Sequence, residues 1–417
     1  MPIADSGRWP RRRSRAIDWL VHESVQLRFV DDLFPRVCER LCADGLPLDR
    51  AVLSLHTLHP QFVGASVEWR PGMARAEIRL YDRESLATPA YLASPVREIF
   101  EGAERIRERL EVSGGAEGRY GIVADLRAEG FSDYVALPMR FSDGKRYATS
   151  WATRRPGGFR DEELAELEEL LPLLAMAVEI RLNRRIARIL LETYVGERAG
   201  LRILEGAIAR GSGEVVHAAI CFTDLRGFTQ LAQKMSLDRL LALLDRYFDI
   251  VGEAVRAHGG EILKFVGDGV LAVFPLESGD ACGRALAAAL AACAAIRRWN
   301  EERQAAGEPP VGIGSALHLG DVLWGNIGTA TRLDFTVVGP AVNVAHRLEE
   351  LAKRLGYEIL VSEAFAAGCD ARSARLHRLG TYVLRDIAGS IAVYTLTDCL
   401  APAAGIATTS STPAAAS

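Results

Sequence analysis

The sequence predicts a mixed α/β (α+β) chain of two domains joined by a helix, the second in a ferredoxin-like βαββαβ order. Three observations carry this reading. At 417 residues the chain exceeds one ordinary domain. Strand and helix patterns alternate through the C-terminal half, and a helical apolar stripe with arginines on the other faces separates the two halves. The composition, 49% hydrophobic and 25% charged, is that of an ordinary globular protein.

Residues 1–15 form a basic tail containing "RWPRRRSR". With a net charge of only -4 overall, this cluster reads as a solvated end and gives no reason to expect a nucleic-acid or membrane partner. No apolar signal core follows it. The most apolar runs, "LLPLLAMAV" and "ALAAALAACAAI", are far shorter than the ~20 residues that cross a bilayer, so a soluble, cytoplasmic protein is expected. Among seven cysteines, only Cys38 and Cys42 stand close, in "CERLC". Two thiols are half a zinc site, and no paired histidines accompany them, so both read as small buried residues.

Residues 16–180 read as the first α/β domain. Its strand candidates are "RAVLSLHTLH", "ARAEIRLY", "DYVALPMRF" and "RYATSWATR", with turn signals such as "SDGK" and "RPGG". "FRDEELAELEELLPLLAMAVEIRL" closes the domain as a helix, acidic at its start and basic at its end, as the helix dipole favours. Residues 181–212 carry the stripe Ile186, Ile189, Leu190 and Tyr194, a connecting helix that either pairs with its copy or packs on its own domain. Within 213–398 the order is strand (215–222), helix (237–258), strand (262–266), strand (270–274), helix (280–303), strand (311–319), strand (321–327) and helix (341–355). Residues 399–417 are low-complexity, and disorder is expected there.

Three stretches of this second domain bear chemistry. "FTDLRGFT" puts Asp224 at the end of a strand apolar on both faces, followed by Gly227, Phe228 and Thr229 opening a helix. "GGEILKFVGDGVLAVF" puts Asp268 in a tight hairpin between glycines. "DFTVVGPAVNVAHRLEELAKRLG" puts Asn343 and Arg347 four apart, on one helical face. Taken singly, these are a helix cap, a turn residue and a solvated face. Together, two carboxylates at the ends of apolar strands, beside glycines that admit a ligand, suit a hard divalent cation. The exposed N–H groups of Gly227, Phe228 and Thr229 suit phosphate oxygens.

These stretches, with "GSALHLGDVLWGNIG", closely resemble the class III adenylate and guanylate cyclase family. The resemblance implies that Asp224 and Asp268 hold two Mg²⁺ or Mn²⁺ ions per active site. It implies that Asn343 positions the ribose and that Arg347 stabilises negative charge on the phosphate in the transition state. Lys264, four before Asp268, and Thr336, seven before Asn343, match the purine-selecting positions. A lysine donates to N1 of adenine and a threonine hydroxyl can accept from its amino group, whereas guanine would need an acceptor in place of Lys264. Asp334 is not the base-reading group. The implied activity is an adenylate cyclase that converts ATP to cyclic AMP and pyrophosphate. In this family the site lies between two catalytic domains, and a full set in one chain implies a homodimer. The alternatives are a guanylate or mixed-specificity cyclase, or a nucleotide-binding module that does not turn over.

The first domain resembles a GAF-type sensor through "GFSDYVALPMRFSDGKRYATSWATRRPGGFRDEELAELEELLPLLAMAVE". That implies an unidentified small-molecule ligand, for which Trp69, His56, His59 and Trp151 are candidate lining residues. Tryptophans and histidines of this kind also serve as plain packing.

Overall fold

The computed structural model describes residues 14–57, 59–111, 119–369 and 375–397. Residues 1–13 of the basic tail and the C-terminal tail lie outside these. The chain divides into two compact units, Met1–Leu190 and Leu191–Ser417.

The first unit begins with α1 (Arg15–His22) and α2 (Val30–Ala43), then β1 (Arg50–His56), β2 (Gly64–Trp69) and β3 (Glu77–Tyr81). Helices α3 (Pro89–Leu92) and α4 (Pro95–Glu101), strand β4 (Ile106–Arg109) and α5 (Gly121–Ala128) come next. Strands β5 (Asp133–Arg140) and β6 (Arg146–Thr153) lead into α6 (Asp161–Val195). The six strands form one sheet in the order β3-β2-β1-β6-β5-β4. Trp19, Phe34 and Leu41 of α1 and α2 pack with Trp151, Leu167 and Leu174 on one face. Ile99, Val123 and Leu126 pack with Tyr134 and Ala148 on the other. Strands β2 and β4 escaped the sequence pattern. In β4, "IRER", the apolar alternation is replaced by charge, and Arg107 Nη2 reaches the buried Asp133 at 2.8 Å.

The second unit starts with the end of α6, which gives way at Gly196 to α7 (Glu197–Leu204). The stretch expected as one connecting helix is therefore two helices and an irregular segment. Next come β7 (Gly213–Arg226), the short α8 (Phe228–Lys234), α9 (Leu237–Ala257), β8 (Glu261–Val266) and β9 (Gly269–Pro275). Then follow α10 (Ala281–Ala305), β10 (Gly312–Gly328), β11 (Leu333–Val338) and α11 (Pro340–Leu355). The unit ends with β12 (Ile359–Ser362), α12 (Glu363–Gly368), β13 (Leu376–Tyr382) and β14 (Ile391–Leu396).

The central strands run β10-β7-β9-β8, the expected βαββαβ arrangement, extended on the β10 side by β12, β14 and β13. Alternation along β7 decides the layers. Ala219, Cys221 and Leu225 face α9 and α10, while Ala218, Ile220 and Phe222 share a second core with Ala341 and Ala345 of α11.

One expectation is corrected. The two strands read as 311–319 and 321–327 are a single strand, β10, paired with β7 from Gly312↔Arg226 to Gly325↔Gly213. "LGD" resembles turn chemistry, but Gly320 serves close approach instead: a Cβ there would lie 2.8 Å from the Ala341 side chain of α11. Asp321 stays in the strand by meeting its cross-strand partner His217 at 2.5 Å.

Gly260, at the junction of α9 and β8, is packed similarly. A Cβ there would lie 2.4 Å from the ring of the fully buried Phe274. Gly260→Ala should destabilise the protein by about 1–3 kcal/mol, the usual cost of overpacking. The urea midpoint should fall with an unchanged slope; an unchanged midpoint would show that the ring can move aside.

Among the described residues, no helix is long and apolar enough to cross a membrane. Cys38 is buried and its thiol is pushed well up by that burial, in keeping with a packing role.

Candidate active site

Asp224 lies near the end of β7, just past the pairing of Thr223 with Val270 of β9. Asp268 sits in the turn that joins β8 to β9, where Gly267 supplies a φ of +64°. The topology therefore carries two acids distant in sequence to one end of the sheet, within hydrogen-bonding reach of each other. Burial first, then the hydrogen bond and charge of Asp224, push the Asp268 carboxyl up to about 6.

Such a pair needs a counter-charge. Lys353 of α11 supplies part of one, with Nζ 3.6 Å from Asp224 Oδ2. Behind the acids, Arg226 Nη1 meets Glu349 Oε1 at 3.0 Å, and Arg226 Nη2 donates to the Tyr357 carbonyl at 3.2 Å. Tyr247 of α9 lies beneath, fully buried, with a hydroxyl that has no hydrogen-bond partner among the described residues. Burial raises its phenol, and the charges of Asp224 and Asp268 add to this. Two neighbouring carboxylates at one end of the sheet are a hard oxygen donor set that fits divalent metal ions. The described residues hold no cluster of three or more metal-binding side chains. Further ligands would come from water or from substrate oxygens.

Glu349 gives a pH test. Burial pushes its carboxyl up to about 7 against the pull of Arg226. Folded protein therefore binds the proton more tightly than unfolded protein, whose carboxyl ionises near the ordinary 4.5. The sign follows: this group's contribution to stability falls as pH rises through that window. Glu349→Gln removes the titration. The variant's urea midpoint, relative to wild type, should climb between those two pH values; a constant difference would overturn the assignment.

Gly227 has a φ of +74° and caps α8, its carbonyl accepting from Gln230 and Leu231. Phe228 packs against the core on the α9–α10 side and Thr229 is exposed. The Phe228 ring is taken up by that packing, which leaves the backbone of the segment and the Thr229 side chain to face a ligand.

Lys264 of β8 and Thr336 of β11 line one cavity of about 630 Å³, with Phe265, Phe335 and the segment around Gly196. Thr336 pairs with Gly325 of β10, and its hydroxyl is buried without a partner among the described residues. Among the described residues, Lys264 and Thr336 thus place a lysine and a threonine in the lining of one cavity. Asp334 borders the same cavity.

Asn343 and Arg347 both lie on α11. Asn343 is exposed; Arg347 donates to Glu350 at 2.9 Å and to Asp386 at 3.2 Å. The fold thus brings Asp224 together with Asp268, and Lys264 together with Thr336. It does not join these sets: none of Asp224, Asp268, Asn343 or Arg347 lines the Lys264 cavity. Sequence reasoning missed Arg226, Glu349 and Lys353. In "RLEELAKRLG" the last two read as ordinary helix charges. The available signal was their spacing of four, which points both toward β7.

In the first unit, a cavity of about 370 Å³ opens between β1, β2 and the α3–α4 segment, lined by His56, Tyr81, Tyr91 and Phe100. Of the four residues suggested for a ligand pocket, only His56 lines it. Trp69 and Trp151 are core residues on the opposite face of the sheet, where alternation turns their rings, and His59 stacks on Phe62 with ring centroids 4.9 Å apart.

The segment that carries these residues is similar to known proteins. Residues 212–398 match the model of the adenylate and guanylate cyclase catalytic domain. An adenylate cyclase of Anabaena cylindrica is 35% identical over 158 residues, 37% of this chain and 31% of that protein. Adenylate cyclase 1 of Rhizobium meliloti (strain 1021) is 35% identical over 150 residues, 36% of this chain and 23% of that protein. The chain thus spans about a quarter to a third of the length of these relatives. Among solved structures, a bacterial light-regulated adenylyl cyclase is 29% identical with a TM-score of 0.39, covering 45% of this chain and 92% of that one. The guanylyl cyclase Cya2 is 28% identical with a TM-score of 0.39, covering 44% and 92%.

Proposed function

Residues 212–398 being a class III nucleotide cyclase catalytic domain, we propose that the protein converts ATP to 3′,5′-cyclic AMP and pyrophosphate. The observation that carries the choice of base is the single cavity lined by both Lys264 and Thr336. Lys264 donates to N1 of adenine, and Thr336 accepts from the amino group. Guanine reverses the polarity at N1 and would set a donor against a lysine. The adenylate cyclase relatives point the same way.

Asp224 and Asp268 would hold two divalent ions, Mg²⁺ or Mn²⁺. When bound, these supply charge neutralisation at the phosphates and a more acidic 3′-hydroxyl. The chain's own groups do the rest. Asn343 orients the ribose, and Arg347 meets the charge that develops on the phosphate. The N–H groups of the 227–229 segment face the triphosphate oxygens. Nucleophile and electrophile belong to one molecule, so holding its conformation supplies much of the acceleration.

The active unit is a homodimer with two equivalent sites. Two features support this: the separation of the Lys264 cavity from the acids within one chain, and exposed apolar Leu237, Leu241, Phe265 and Val266. ATP as substrate places the reaction in the cytoplasm. The N-terminal unit acts as a GAF-like sensor, its cavity taking a small ligand whose binding alters the pairing of catalytic domains through the 181–212 segment. Deleting residues 1–180 should change specific activity; an unchanged rate would remove the sensor from the proposal.

Incubating purified protein with Mn²⁺ and either ATP or GTP tests the central reading. Cyclic AMP is the expected main product. Cyclic GMP as the main product would reverse the base assignment, and no cyclic product from either would overturn the activity.

A further inference from the structure

Arg347, given the role above, is not free in this fold. Its Nη1 donates to both oxygens of Glu350 at 2.9 Å, and its Nη2 donates to Asp386 Oδ2 at 3.2 Å. Glu350 lies one turn further along α11, so that contact follows from helix geometry. Asp386 arrives from 39 residues away, in the loop between β13 and β14.

Two observations set Asp386 apart. It is the one non-glycine residue with positive φ among the described residues, at +62°. Left-handed backbone is open to aspartate more than to most side chains, and here the packing around the turn enforces it. The enforcement is visible: Leu384 is buried in the core formed by Leu348 and Leu351 of α11, and Ile387 packs against the same core. The Ile387 N–H donates to the Leu384 carbonyl at 3.2 Å, closing the turn around Asp386. The backbone at Asp386 is thereby fixed relative to the helix that carries Arg347, and its Oδ2 accepts from Arg385 Nε at 3.2 Å as well as from Arg347.

Five N–H groups surround a guanidinium. The three hydrogen bonds leave Nε–H and one Nη2–H of Arg347 for an incoming oxygen. We propose that Asp386 is a positioning residue, holding the Arg347 guanidinium so that these remaining N–H groups are set for a substrate phosphate before it binds. This rests on the cyclase reading and on Arg347 as its phosphate-facing cation.

Two substitutions separate the side chain from the backbone, because both glycine and asparagine adopt a φ near +62° readily. Asp386→Gly deletes the acceptor and Asp386→Asn keeps one. The readouts are kcat and KM for Mn²⁺–ATP, with the thermal midpoint of each protein. Asp386→Gly should lower kcat about fivefold, the size of one solvent-facing charged pair. Its KM should stay within about twofold of wild type and its midpoint should not fall, while Asp386→Asn should recover most of the kcat. Wild-type or faster turnover in Asp386→Gly would overturn the proposal. So would equal losses in both variants, or a loss that tracks a lowered midpoint. Wild-type protein that makes no cyclic nucleotide would instead sink the cyclase reading itself, so the two failures are distinguishable.

Discussion

Mixing Asp224→Ala protein with Arg347→Ala protein should restore activity that neither has alone. Each single variant is expected to lose about 10²- to 10³-fold or more in kcat, the scale seen when a preorganised electrostatic partner of the reacting phosphate is removed. In a two-fold dimer that takes its acids from one copy and its arginine from the other, a mixed dimer carries both lesions in one site and none in the second. Random exchange makes half of the dimers mixed, each with one intact site of two, so about a quarter of wild-type activity should return. Differently tagged copies, purified through both tags, verify the mixed dimers. If they form and the rate stays at the level of the single variants, all these residues act within one chain.

Lys264→Glu should move base choice. Lys264 lines the cavity with Thr336, and the other charged residues of its lining are Arg256, Asp334, Glu192, Glu197 and Glu261. Replacing a donor to adenine N1 by an acceptor loses a charge-assisted hydrogen bond of about 1.5–3 kcal/mol with ATP and creates one with the N1–H of GTP. The ratio of kcat/KM values for ATP and GTP should fall by about 10²- to 10⁴-fold. Competition between the two nucleotides, with both cyclic products measured, reads this directly. A ratio that stays put while both activities fall together would show that Lys264 supports the fold of β8 and does not read the base.

Much of the second unit was legible because its strands and turns are punctuated. Apolar strands end abruptly in Asp224 and Asp268, and the glycines around them mark the turns. Periodicity located α9, α10 and α11 to within a few residues. What stayed hidden followed from tertiary context. Gly320 reads as a turn until α11 is seen lying on it. Strand β11, which carries Thr336, is short and follows a loop of threonines, so only its pairing with β10 reveals it. Arg226 and Glu349 look like solvated charges in a list of letters, yet their side chains are 13% and 4% exposed and face each other under the sheet end. In the first unit the tryptophans suggested a pocket and proved to be core, because alternation within β2 and β6 turns their rings inward.

The length of β10 has a consequence for how this domain can vary. Strand β7 pairs with it residue for residue from one end to the other, with Asp224 opposite Gly314 and Thr336, on the far flank, opposite Gly325. Adding or deleting a single amino acid between those two glycines would send every later side chain to the opposite face, and the acid end and the base end would fall out of phase. Length changes in relatives should therefore collect in the irregular segment before β7 and in the loops beyond β11, leaving this stretch at constant length.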